Sequence, residues 1–364
     1  MRNNLIIKRA KLFAKMNECK ILRRRCPVVA YLLITDRCNM HCRYCFLDYN
    51  QKRRELSTEQ WLKLIDELHS RGTAMFCFMG GEPLLHPDID LIVKYVLSKD
   101  VICDMTSNGI LVPEKIDTVK NIDSLMISLD GDTEANDINR GRGAFDKAIE
   151  AIRIAKDAGV VVRVNAVMTK QSKERVEFLL ALADRYDLYV TFSIAAEFPV
   201  QDGELERQIM LDEEEIRSLY KKLKVLKHKG RRILLSFSTL DYVINYPLPY
   251  NKVILRSNKE HRNYYTQKCF FGQTMLYVDA NGDLYPCATL WNNEYFKPKN
   301  ILEDSFQGAW DNMAELECLS CFCPGGPEWN RIMSLRGFCA GVAVTLQQAL
   351  SRKAALNIKK RGRL

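Results

Sequence analysis

No apolar run in this chain approaches the roughly 18 to 20 residues of a membrane-spanning helix, which argues against a helical membrane protein. Residues 1–25 are broken by charge throughout and leave no apolar stretch for a signal peptide. Acids are scarce at both ends. Glu18 stands alone against nine Lys and Arg in residues 1–25, and residues 352–364 hold six basic residues and no acid. These ends together exceed the net charge of +9, so the body between them is mildly acidic.

What is plentiful is cysteine, with 13 in 364 residues. In a large chain without a secretion signal, thiols point to metal ligation in a reducing cytoplasm rather than to disulfides. The composition, 47% hydrophobic and 27% charged, is that of a globular protein large enough for one main core and a smaller one. Residues 1–27 read as a basic helix, with Lys8, Lys11, Lys15 and Glu18 on one side and Ile6, Ala10, Phe13 and Met16 on the other. The first reading is a solvated helix packed on the core, with no nucleic acid as partner. Peripheral membrane contact is the alternative.

Six short apolar or β-branched runs follow, near Val28–Thr35, Ala74–Met79, Val101–Thr106, Leu125–Leu129, Val161–Met168 and Tyr189–Ile194. Between them lie helix-like segments, opened by the capping box Ser57-Thr58-Glu59-Gln60 and continuing near Asp88–Leu97, Pro113–Val119, Ala144–Ala158 and Ser172–Tyr186. Such alternation predicts a parallel sheet, either an open (β/α)6 barrel of the TIM type or a doubly wound sheet. Both place function at the C-terminal strand ends.

The polar motifs fall there. Cys38, Cys42 and Cys45 follow the first strand, Gly80-Gly81-Glu82-Pro83 the second and Ser107-Asn108-Gly109 the third, while Ser128 and Asp130-Gly131 close the fourth. Three thiolates can bind a four-iron cluster and leave one iron open to a non-protein ligand. Zinc would need a fourth donor, and His41 lies between two of the cysteines at poor chelating spacing.

These residues resemble the radical S-adenosylmethionine (radical SAM) superfamily, whose signature is Cys-x3-Cys-x-aromatic-Cys followed by Gly-Gly-Glu-Pro. The resemblance spans about residues 28–195, with Tyr44 in the aromatic position. It implies that Cys38, Cys42 and Cys45 hold a [4Fe-4S] cluster whose open iron SAM chelates. Gly80, Gly81 and Glu82 would receive the SAM amino group, Asn108 would lie near its ribose or carboxylate, and Ser128 with Arg140 would hold the carboxylate. The implied reaction is reductive cleavage of SAM to a 5′-deoxyadenosyl radical that abstracts hydrogen from substrate. No acid or base beyond the cluster is assigned.

Residues 196–268 read as a bridge with a helix around Leu211–His228, and 269–345 as a small auxiliary domain before a basic tail at 346–364. Six cysteines, Cys269, Cys287, Cys318, Cys321, Cys323 and Cys339, fall within this domain. Asn281-Gly282 marks a hairpin between Met275–Val278 and Asp283–Pro286, bringing Cys269 and Cys287 to its two ends. This part resembles the SPASM and twitch auxiliary-cluster domains. On that resemblance Cys269, Cys287, Cys318 and Cys321 form the first-choice cluster set, with Cys323 and Cys339 as replacements or members of a second set and a structural zinc site as the alternative. Cys19, Cys26, Cys77 and Cys103 read as buried fillers.

The resemblance favours a peptide or protein substrate and an electron donor such as flavodoxin or ferredoxin. Two features narrow that choice: Ala288 stands where sulfatase-maturing relatives place an Asp, and no leader-binding domain of about 80 residues precedes the barrel. Modification of a lipid or tetrapyrrole is the alternative, and a non-catalytic iron–sulfur or zinc regulator the remote one.

Overall fold

The computed structural model describes residues 5–47, 53–195, 208–247, 249–250, 253–255, 269–291, 296–316 and 318–332. Six parallel strands, β1 (Val29–Leu33), β2 (Met75–Met79), β3 (Ile102–Ser107), β4 (Ser124–Ser128), β5 (Val162–Met168) and β6 (Tyr189–Ile194), pair in sequence order. The order never reverses. A doubly wound sheet has a switch point where the strand order turns back, so the arrangement is the barrel type, open between its terminal strands.

Residues on one face of each strand, among them Phe76, Phe78, Met105, Ile127, Val164 and Phe192, are fully or almost fully buried in the main core. The amphipathic helices Thr58–Ser70, Ile89–Ser98, Ala144–Asp157 and Val176–Tyr186 supply the other side of that core. Burial on both faces is what makes parallel strands read as unbroken apolar runs. The opposite face carries Tyr31, Cys77 and Asp104 in one register, with Arg163 donating to Asp104 at 2.7 Å and to Ser124 at 2.9 Å.

The expected hairpin, β8 (Met275–Val278) and β9 (Asp283–Tyr285), forms, but not as part of a separate sheet. β8 pairs in parallel with β1, so the hairpin and a short β10 (Lys299–Asn300) extend the barrel sheet. β1 would otherwise present an unpaired edge between two buried faces. A second, two-stranded sheet joins β7 (Val253–Leu255) to β11 (Cys318–Cys321), and sequence reading found neither strand.

The first helix, Leu5–Ile21, buries Leu12, Met16 and Cys19 against Val28, Val29, Met75 and Ile102. The packed-helix reading therefore describes it, but with the packed face rotated: of the residues on the expected apolar side only Met16 is fully buried. Lys8 is buried and pairs with Asp123 at 3.1 Å, whereas Ile6 and Ile7 are exposed. Asp123 just before β4 gives the lysine a partner that lifts the cost of burying its charge. Cys26, Cys77 and Cys103 are also buried. Among the described residues no helix is long and apolar enough to cross a membrane.

Met16→Ala should lower unfolding stability by about 2–4 kcal/mol, because a side chain with no exposed surface leaves a cavity. Ile7→Ala should stay within about 0.5 kcal/mol. Urea unfolding of both variants checks which face of the helix is packed.

Candidate active site and iron–sulfur centres

The first cysteine loop leaves β1 without regular secondary structure, so its shape depends on what grips it. Two backbone bonds from the end of β2 do so: Gly81 N–H donates to Thr35 O and Glu82 N–H to Arg37 O, each at 2.8 Å. The approach is so close that a Cβ on Gly81 would stand 2.2 Å from Arg37 O, and one on Gly80 would stand 2.6 Å from Thr35 O. Gly80 also has φ +127°, a conformation that side chains resist.

Cys38, Cys42 and Cys45 line one cavity of about 230 Å³ with Tyr44, Gly80, Gly81, Asn108, Ser128 and Arg140. Asn108 Nδ2 lies 3.9 Å from Cys38 Sγ and donates to Asn39 Oδ1 at 2.7 Å. Burial pushes the Cys38 thiol up to about 11 and that of Cys42 up to about 12. Such thiols ionise readily once iron supplies the compensating charge. The described lining of this cavity offers three thiolates and no His, Asp or Glu as a fourth donor, a set that fits a cluster with one open iron rather than a four-coordinate structural zinc.

Glu82 is held by three donors at the strand ends. Its carboxylate is fully buried and accepts from Ser107 Oγ at 3.0 Å, Asn108 N–H at 2.8 Å and Leu84 N–H at 3.2 Å. It therefore ties the end of β2 to the end of β3 and does not line the cavity, as Gly80 and Gly81 do. Burial raises it to about 7 against the pull of those three donors.

Arg140 reaches the cavity from a helix, Thr133–Arg140, that sequence reading missed. Asp132 caps its start by accepting from Ala135 N–H at 3.1 Å. Its inward face carries Asn136, Asn139 and Arg140 beside Ala135, so apolar periodicity gave no signal. The guanidinium is held bidentately by Asp130, Nε and Nη2 each at 2.9 Å from a carboxylate oxygen. Nη1 lies 3.9 Å from Cys42 Sγ. Tyr44 donates its hydroxyl to the same Asp130 at 2.5 Å. Asp130 is thus a site residue that went unassigned, and the adjacent Ser128 and Gly131 in its strand-end motif were the available signal.

At the C-terminal centre, Cys269, Cys287, Cys321 and Cys323 line one cavity of about 200 Å³ beside Tyr31, Tyr277 and Trp329. Cys321 and Cys323 are two apart on a chain leaving a strand, a spacing that turns side chains the same way. The Cys323 thiol is drawn down by a hydrogen bond with Cys321, against burial, and further by the Gly325 amide, Thr289 and the Gly326 amide. Burial pushes Cys269 up to about 11. Cys318 opens β11, but its side chain lies outside the described ones, and Cys339 lies outside the described residues.

Gly81→Ala should force the loop away from β2. Iron analysis of the reconstituted variant should show loss of about four irons, with the C-terminal complement retained.

Residues 32–183 match the radical SAM superfamily and residues 269–324 an iron–sulfur cluster-binding domain, SPASM. The mycofactocin maturase MftC of Mycobacterium tuberculosis is 29% identical over 79% of this chain and 71% of its own length. An AdoMet-dependent heme synthase of Methanosarcina barkeri is 25% identical over 77% of this chain and 80% of its own. In fold, the chain is similar to Streptococcus suis SuiB bound to its precursor peptide SuiA, with TM-score 0.65, 19% identity and coverage of 87% and 76%. It is also similar to anSMEcpe with bound AdoMet, with TM-score 0.62, 16% identity and coverage of 90% and 97%. The matched domains imply a [4Fe-4S] cluster, SAM and auxiliary iron–sulfur ligation. The chain thus carries a radical SAM domain over residues 32–183 and a SPASM domain over residues 269–324.

Proposed function

We propose that this radical SAM enzyme modifies a peptide or protein, with Cys38, Cys42 and Cys45 binding the SAM-cleaving cluster. The observation that carries the reading is the single cavity shared by those cysteines, the Gly80-Gly81 backbone, Ser128 and Arg140. When bound, the reduced cluster supplies the electron that cleaves SAM to a 5′-deoxyadenosyl radical. The chain's own part is to hold and shield. Ser128 and Arg140 Nη1 bind the SAM carboxylate, Gly80 and Gly81 bring backbone close to its amino group, and Asn108 orients the ribose side. The strand-end cavity keeps water from the reacting carbon.

For the auxiliary centre the proposed ligands are Cys269, Cys287, Cys321 and Cys323, the four that share a cavity. Cys323 thus joins Cys269, Cys287 and Cys321 of the expected set, and Cys318, whose side chain lies outside the described ones, keeps the place the resemblance gives it. A reducing cytoplasm and a flavodoxin- or ferredoxin-type electron donor are proposed with it, on the cysteine-rich composition and the matched domains.

The peptide reading is supported by similarity to proteins named as mycofactocin maturases and as a PqqA peptide cyclase. Tetrapyrrole modification is the second reading, favoured by the heme synthases and an Fe-coproporphyrin III synthase that is 32% identical over 43% of this chain.

Anaerobically reconstituted protein should hold about eight irons, and changing Cys38, Cys42 and Cys45 together to Ala should leave about four. That variant should form no 5′-deoxyadenosine from SAM and dithionite; formation at the parent rate would overturn the assignment. In extracts of cells grown in deuterated medium, so that carbon-bound positions carry deuterium, the component that drives deuterium into 5′-deoxyadenosine should be destroyed by protease. A protease-resistant component that carries a porphyrin absorption band would favour the second reading.

A further inference from the structure

Asp130 is fully buried, and its carboxylate is the most heavily bonded group beside the first cysteine loop. Oδ2 accepts from Tyr44 Oη at 2.5 Å, Arg140 Nε at 2.9 Å and Asn139 Nδ2 at 3.3 Å. Oδ1 accepts from Arg140 Nη2 and from Val167 N–H, each at 2.9 Å. The donors come from the cysteine loop, the helix Thr133–Arg140 and the end of β5. The same helix end grips the loop directly, since Arg43 N–H donates to Asn139 O at 3.0 Å.

The geometry has two consequences. A bidentate carboxylate fixes the plane of a guanidinium. With Nε and Nη2 committed to Asp130, Nη1 is left facing Cys42 Sγ at 3.9 Å, and the guanidinium lies 5.4 Å from the Tyr44 ring centroid. The pair also places one negative and one positive charge, both at least 94% buried, beside a cluster ligand. Charge and hydrogen bonds next to ligand sulfurs set how readily an iron–sulfur cluster accepts an electron.

We propose that Asp130 is a positioning residue that locks Arg140 against the Cys42 thiolate and, as its paired charge, tunes the reduction potential of the N-terminal cluster. The proposal rests on the assignment of Cys38, Cys42 and Cys45 as cluster ligands. Removing Asp130's charge leaves an uncompensated cation and raises the potential. Removing Arg140's charge leaves an anion and lowers it. Removing both restores neutrality.

The test compares the parent with Asp130→Asn, Arg140→Gln and the double variant, each reconstituted anaerobically and counted for iron. Each is then titrated with dithionite and mediators, following the EPR signal that changes on addition of SAM. The expected result is a positive shift in Asp130→Asn, a negative shift in Arg140→Gln and a return to the parent value in the double variant. Equal potentials in the parent and Asp130→Asn, or shifts of the same sign in both single variants, would overturn the proposal and reduce Asp130 to a brace. If Asp130→Asn alone fails to retain iron, the double variant should regain it, and a double variant equally empty would also overturn it. A parent that loses no iron when the three loop cysteines are changed to Ala would instead refute the ligand assignment beneath the proposal.

Discussion

The site depends on one close contact between backbones: the Gly80-Gly81 turn lies against Thr35–Arg37, near enough to exclude a side chain. The cysteine loop has no helix or strand of its own to define it. Two amide donors from the end of β2 fix its path, and β1 and β2 hold that contact in register through the pairing of Leu33 with Met79. The glycines act here through what they lack, since absent Cβ atoms allow the parallel strand ends to clamp the loop. Glu82, adjacent in sequence, carries the brace onward to β3 through Ser107 and Asn108. The positions of the thiolates are thus inherited from the sheet.

Buried charge is the second constraint. Thiols held away from water resist ionisation, as the upward shifts of Cys38 and Cys42 show, and metal binding offsets that cost. Arg140 enters the same environment with its countercharge attached, so the site holds a cation without leaving it unpaired. The C-terminal centre treats one thiol differently. Cys323 is drawn down by a hydrogen bond with Cys321 and then by amide donors at the start of the helix Gly325–Ile332, against the opposing effect of burial.

The barrel strands were legible because parallel strands buried on both faces are continuous in hydrophobicity, and the strand-end motifs located the site. Three features were not legible, each for its own reason. The helix carrying Arg140 presents Asn136, Asn139 and Arg140 inward, the reverse of the pattern that sequence reading seeks. Lys8 was assigned to solvent because its partner, Asp123, is distant in the chain. The pairing of β8 with β1 is likewise a long-range choice, settled by an edge that needed covering. At the auxiliary centre, Cys323 lines the cavity with Cys269, Cys287 and Cys321, while the Cys318 side chain lies outside the described ones.

On the proposed function, three loop thiolates leave one iron of the N-terminal cluster open to SAM. Electron–nuclear double resonance of the reduced cluster, with SAM isotopically labelled in its amino nitrogen and carboxylate oxygens, tests it most directly. Hyperfine coupling to both labelled groups is expected in the parent protein. SAM bound to the reduced protein with coupling to neither label would contradict it.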